Sequence, residues 1–147
     1  MEIKIGIGLD NIIFGMSQED VKRIIGKPDK ITEDERPDGI TYYYNHLLIK
    51  TNFDKDEDCR LYSIEVFNPD VYMFDQKIMG KEKDEILDLL KSNGYCEIEQ
   101  EDYSCFETVF CEKIWSTFEF EFNRLRNIEF SPLFGDDGAT IIWPMSN

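Results

Sequence analysis

The run Asp54-Lys55-Asp56-Glu57-Asp58, followed by Cys59-Arg60 and later Glu65, puts carboxylates at positions 1, 3, 5 and 12 of a calcium-loop pattern. Leu61 supplies the apolar residue at position 8. Position 6 of such a loop turns sharply on a glycine, and here it is Cys59. The flanks also read as strands, where a calcium loop has helices. A solvated hairpin turn is the expected state of this run, and no metal or cofactor is expected.

Other chemistry is sparse. His46 is the single histidine, and beside Asn45 it reads as part of a turn, so a Cys–His nucleophile pair is a poorer reading than a surface histidine. Cys59, Cys96, Cys105 and Cys111 form no C-x-x-C pair, which argues for reduced thiols and against a zinc site. Gly6-Ile7-Gly8 follows a strand but lacks the rest of a dinucleotide fingerprint. With 31 acidic residues, no carboxylate pair is singled out by spacing. No catalytic residue is assigned, and an enzyme is not expected.

Composition sets the class. A chain of 147 residues suits one domain, and 41% hydrophobic with 14% aromatic residues argues for a packed core. The net charge of −15 repels phosphate backbones, so nucleic acid is not an expected partner. The same charge attracts a basic protein, with association that salt weakens. MEIKIGIGLD lacks the basic start and cleavage site of a signal peptide, and no apolar run approaches a membrane span. A cytoplasmic monomer or weak dimer is the expectation.

The elements follow from patterning. Glu2–Gly8 alternates isoleucines with polar residues and glycine, as a strand or an extended arm does. Ser17 caps a helix whose Val21, Ile24 and Ile25 form one stripe, and Gly26 and Pro28 stop it. Asp29–Gly39 reads as an acidic loop. Strands are expected at Ile40–Asn45, Leu47–Phe53 and Arg60–Phe67, and a second helix at Lys81–Ser92 after an apolar connector. Tyr95–Gln100, Phe106–Phe110, Trp115–Asn123 and Leu125–Phe130 follow as strands. Ser131–Gly138 reads as a loop, and Ala139–Trp143 as a short last strand.

Arg60-Leu61-Tyr62-Ser63-Ile64-Glu65-Val66 aligns with Arg124-Leu125-Arg126-Asn127-Ile128-Glu129-Phe130, with four identities in register and a proline soon after each. Gly15 and Gly80 each precede a helix whose first apolar anchor comes six residues later, at Val21 and Ile86. This order predicts repeat-like units at about 14–70 and 78–132. The expected fold is α+β: two helix-plus-β-meander repeats forming one antiparallel sheet, with both helices packed on one face.

Gly15, Met16, Ser17, Glu19 and Val21, followed by Gly26 and Pro28, make a G-M-S-x-E-x-V…G-K-P opening that resembles the BamE-like and β-lactamase-inhibitor-protein-like families. The match covers about a tenth of the chain. The second helix departs from it, with Lys81 at the serine position and no G-x-P stop. The resemblance implies a binding or inhibitory scaffold rather than an enzyme.

If Phe118, Phe120 and Phe122 face the core, then Trp115, Thr117, Glu119 and Glu121 face outward. Register adds Leu61, Glu65, Leu125 and Glu129 to that face. Either this mixed surface is free to bind protein, or the C-terminal segment covers it with Trp143 docked there. The candidate partner-binding residues are therefore Asp54, Asp56, Glu57, Asp58, Glu65, Trp115, Glu119, Glu121 and Glu129. Glu33–Glu35, Glu97–Asp102 and Asp136-Asp137 are further acidic segments. The leading expectation is an immunity-type inhibitor of a basic, nuclease-like bacterial toxin. The alternatives are an envelope-assembly module of BamE-like type and a cryptic ligand-binding domain.

Overall fold

The computed structural model describes residues 1–33 and 37–144. Of the acidic segment Glu33–Glu35, residues 34 and 35 lie outside them. The chain opens with three two-residue strands, β1 (Ile3–Lys4), β2 (Gly8–Leu9) and β3 (Ile12–Ile13), which form a small antiparallel sheet. The expected Glu2–Gly8 strand is thus folded back on itself. Gly8 permits the close turn, because a Cβ there would sit 1.9 Å from the carbonyl oxygen of Ile12.

Helix α1 (Gln18–Ile25) begins at Ser17, whose side chain accepts the Asp20 N–H, and ends at Gly26, whose positive φ of 89° favours glycine and whose N–H donates to Lys22 O. Then come β4 (Lys30–Thr32), β5 (Gly39–Tyr44), β6 (Ile49–Asp54) and β7 (Arg60–Val66). A hairpin, β8 (Tyr72–Met73) with β9 (Gln76–Lys77), leads to α2 (Lys83–Ser92). Glu82 and Glu85 close a capping box at its start. The chain continues through β10 (Glu99–Asp102), β11 (Glu107–Cys111), β12 (Ser116–Glu121) and β13 (Arg124–Phe130). A last hairpin pairs β14 (Leu133–Phe134) with β15 (Ile141–Ile142).

Eight strands form one antiparallel sheet in the order β10-β11-β12-β13-β7-β6-β5-β4. The expected α+β architecture of two helix-plus-meander repeats is therefore corrected: the protein is mostly β, with 43% of the described residues in strands against 17% in helices. The helices are too short to cover the sheet. α1 fully buries Val21 alone, and α2 buries Ile86 and Leu90. Ile3, Leu9, Ile12 and Phe14 from the opening segment, with Val71, Met73 and Ile78 around the β8–β9 hairpin, complete the core. No helix among the described residues is long and apolar enough to cross a membrane.

Three outward or inward assignments are also corrected. Leu61 and Leu125 are buried, because each strand carries an extra residue that slips the period-2 pattern by one. Phe53 pairs with Leu61 while Asn52 pairs with Ser63, which leaves Tyr62 as the bulge; Arg126 is its counterpart on β13. Backbone clamps fix both leucines: Gly15 donates to Leu61 O and Leu61 to Met16 O, while Gly80 donates to Leu125 O and Leu125 to Lys81 O. Phe122, expected in the core, is 91% exposed. It sits with Asn123 at the hairpin tip, both at positive φ, so strand β12 ends before it.

Tyr44 ties the sheet to the end of α1, its hydroxyl donating to Gly26 O at 3.0 Å. Burial, with smaller contributions from Tyr42 and Asp29, pushes its phenol up to about 12. An unfolded tyrosine titrates near ~10, so the neutral hydroxyl's contribution is complete below that pH and is lost as pH rises to about 12. Unfolding free energy measured against pH should fall across this window. Tyr44→Phe should flatten that part of the curve, and an unchanged slope in the variant would show that another group titrates there.

Candidate functional site

The core-facing side of the sheet is apolar, and the opposite side carries two transverse rows set by strand register. One row is small and polar: Thr32, Thr41, Asn52 and Ser63 are successive neighbours across β4 to β7. Thr41 Oγ1 donates to Asn52 Oδ1 and Asn52 Nδ2 to Ser63 Oγ, each at 2.8 Å, and all three residues are buried. Buried polar groups hold only when paired. Asn52→Ala removes the middle member and deprives both neighbours of a partner. It should lower stability by about 2 kcal/mol in a urea titration, and a change near zero would mean water replaces the amide without loss.

The second row spans all eight strands. At one end Tyr43 lies between Lys30 and Lys50, whose ammonium groups sit 5.2 and 4.9 Å from its ring centre. Lys50 then faces Glu65, and Glu65 lies directly opposite Glu129 where β7 meets β13. Beyond Glu129 the row continues through Thr117 and Phe110 to Glu99. The face is therefore polarised, basic toward β4 and acidic toward β10.

On the acidic half, Trp115 stands at the start of β12 in a left-handed conformation. Its ring packs between Phe110 at 5.3 Å and Phe134 at 4.5 Å. A cavity of about 730 Å³ opens there, walled by Ile98, Phe110, Trp115, Leu133 and Phe134, with Glu97, Glu99, Glu112 and Lys113 also lining it. A smaller cavity of about 230 Å³ adjoins it through Phe110 and Trp115, and reaches Ser63, Thr117, Glu129 and Ser131. Together they make a groove with an aromatic floor and carboxylates along it, a size and lining that suit a bound side chain or short segment.

The β14–β15 hairpin forms one wall of this groove. Asp137 braces its turn, accepting from the Ala139 and Thr140 N–H groups and the Thr140 hydroxyl, and these bonds hold its carboxyl down at about 2. The β14–β15 hairpin thus lines the face at one end, and Glu65 and Glu129 are half-buried. Trp143 lies beside Arg60, its ring 5.0 Å from the guanidinium.

The structure brings Glu65, Trp115, Glu119, Glu121 and Glu129 to one face. Arg126 bonds Glu119, at 3.1 Å, and Glu121, so two of these carboxylates are already paired. Asn127 also donates to Glu119 at 2.7 Å. Asp54, Asp56, Glu57 and Asp58 stand apart at the β6–β7 end, in and around a 3-10 turn at Lys55–Glu57. Asp54 accepts the Asp56 N–H, Asp58 faces Arg60 at 3.6 Å, and Asp54 and Asp56 line a separate cavity of about 300 Å³. Among the described residues no three His, Cys, Asp or Glu side chains are grouped to hold a metal ion. His46 lies at the β5–β6 turn with Nδ1 3.9 Å from Asp29. Burial pushes the Cys111 thiol up, away from the nucleophilic thiolate.

Sequence reasoning missed Phe110, Phe134, Ile98 and Leu133. Phe110 was recoverable, since Val109 and Cys111 on either side of it point to the core. Leu133–Phe134 fell inside a segment read as loop.

No family model and no curated protein matches the chain. Two solved structures share its fold. An extracellular protein containing a SCP domain from Bacillus anthracis gives a TM-score of 0.54 at 12% identity, over 90% of this chain and 48% of that one. A DUF4309 family protein, YjgB, from Bacillus subtilis gives 0.50 at 13% identity, over 86% and 82%. This chain spans about half the length of the first. At these identities the likeness shows the fold alone. Neither protein is BamE-like or immunity-like.

Proposed function

We propose that the chain is a protein-binding module for a basic partner, and that the acidic half of the open sheet face is where the partner sits. The observation that carries this is the groove around Trp115, where three packed aromatic rings are bordered by Glu97, Glu99, Glu112 and Glu129. Aromatic anchors in a pocket supply binding energy, and the surrounding carboxylates select the sign of the partner and speed encounter. An immunity-type inhibitor of a basic toxin is one instance of this reading, in which the acidic face occupies a cleft built for phosphate. The test is a titration against purified basic nuclease domains and an acidic domain of similar size, at low and high salt. Salt-sensitive binding to a basic domain, lost on Trp115 substitution, supports the reading. Equal binding to the acidic control, or no binding to any basic domain, overturns it.

A second reading places the same module outside the cell. It is favoured by the extracellular Bacillus anthracis protein of similar fold. Fractionation of the native host with an antibody to this chain decides between that location and the cytoplasm.

A further inference from the structure

The partner's mode of attachment can be read from the edge of the sheet. β10 is one of the sheet's two terminal strands, the one on its acidic side, and is bonded to β11 alone. Its four residues, Glu99-Gln100-Glu101-Asp102, are all exposed. An edge strand presents a row of main-chain donors and acceptors that another strand can take up. Two copies of this chain meeting there would set carboxylate against carboxylate, so self-pairing at β10 is disfavoured. The same charges favour a strand of opposite sign.

Register says which side chains such a strand would show. Glu99 and Glu101 pair with Phe110 and Thr108, which places both carboxylates on the groove side of the sheet. Glu101 also accepts a hydrogen bond from the Tyr103 hydroxyl, which holds it beside the edge. Residues Cys96–Glu99, leading into β10, line the cavity that holds Trp115. The edge and the groove are therefore continuous.

We propose that β10 accepts an extended basic segment of the partner as a ninth strand, and that this segment carries lysine or arginine at alternate positions. Its basic side chains lie over Glu99 and Glu101, and an apolar side chain near its end enters the groove against Phe110, Trp115 and Phe134. Main-chain bonds supply affinity, and the alternate side chains supply specificity. The inference rests on the proposed basic-partner reading and adds the geometry of attachment to it.

The test uses the full chain and three synthetic peptides of one composition. One alternates lysine with valine and ends in leucine, one has its lysines clustered, and one is the alternating peptide N-methylated at every second residue of the pairing edge. The alternating peptide should bind, and slow amide exchange at Glu99–Asp102. N-methylation and the Glu99→Lys/Glu101→Lys variant should each weaken it at least tenfold. Equal binding of the N-methylated peptide overturns strand addition while leaving a basic groove ligand intact. Failure of all three peptides to bind, where a basic domain binds in the titration above, overturns strand addition alone. Failure of both peptides and domains overturns the underlying reading as well.

Discussion

Phe130→Ala is expected to lower the unfolding free energy by about 3–5 kcal/mol, the range for emptying a buried aromatic site. The ring is buried and packs edge-to-face on Phe14, with centroids 5.5 Å apart and planes at 74°. Such a pair adds about 0.5–1.5 kcal/mol to the area term. Its position raises the consequence. β7 and β13 join the two halves of the sheet through three registered pairs, Ile128 with Val66, Glu129 with Glu65, and Phe130 with Ile64. The middle pair is polar and half-buried, so it adds little apolar area to the joint. The apolar pairs on either side strengthen it, and Phe130 is the one aromatic ring among their four residues. Phe14 draws the opening segment onto the same point.

The control is Phe122→Ala, which removes the same ring from a hairpin tip and should change stability by no more than about 0.5 kcal/mol. Both are read as midpoints and slopes in urea. A Phe130→Ala loss below 1 kcal/mol, or one matched by Phe122→Ala, would show that the joint does not depend on this ring.

The contrast between these two phenylalanines also shows what was legible in the sequence. Local rules worked where one element decides the outcome: Ser17, Val21 and Gly26 define α1 by cap, stripe and stop, and Phe118 and Phe120 alternate into the core. They failed where pairing with another strand decides. Phe122 continues the alternation on paper, but it has no strand beside it once the chain turns at positive φ. Leu61 and Leu125 look outward by parity, and a bulge on each strand turns them in. Class was misjudged for a related reason. Two-residue strands such as Ile3–Lys4 and Tyr72–Met73 carry too few residues to show a period, yet the segments that hold them cover much of what helices were expected to cover.

Of the predicted site, Glu65, Trp115, Glu119, Glu121 and Glu129 fell on one face because their strands kept register. The Asp54–Asp58 run went to a different end because a hairpin turn carries its own acids away from the sheet surface. Counting charges could not separate these groups. The polarity of the face, with Lys30 and Lys50 at one end and Glu99 at the other, exists only once eight strands are ordered.

Trp115→Ala is expected to weaken binding of a basic partner by at least about 30-fold, close to 2 kcal/mol, as loss of a central aromatic anchor does. The carboxylates should behave differently. Glu119 and Glu121 already bond Arg126, so replacing either with glutamine changes affinity by well under about 1 kcal/mol. Glu97→Gln and Glu112→Gln, at exposed positions along the groove, should reduce association rate and its salt dependence more than dissociation rate. Trp115→Phe should recover part of the loss, since a smaller ring still fills the gap between Phe110 and Phe134. The chain has two tryptophans, so Trp143→Phe leaves Trp115 as the sole indole reporter. Its emission should shift when partner excludes water from the groove. Unchanged affinity in Trp115→Ala, with the variant still folded by urea titration, would move the binding surface away from this groove. A carboxylate variant outweighing Trp115→Ala would make charge, rather than the aromatic floor, the main source of affinity.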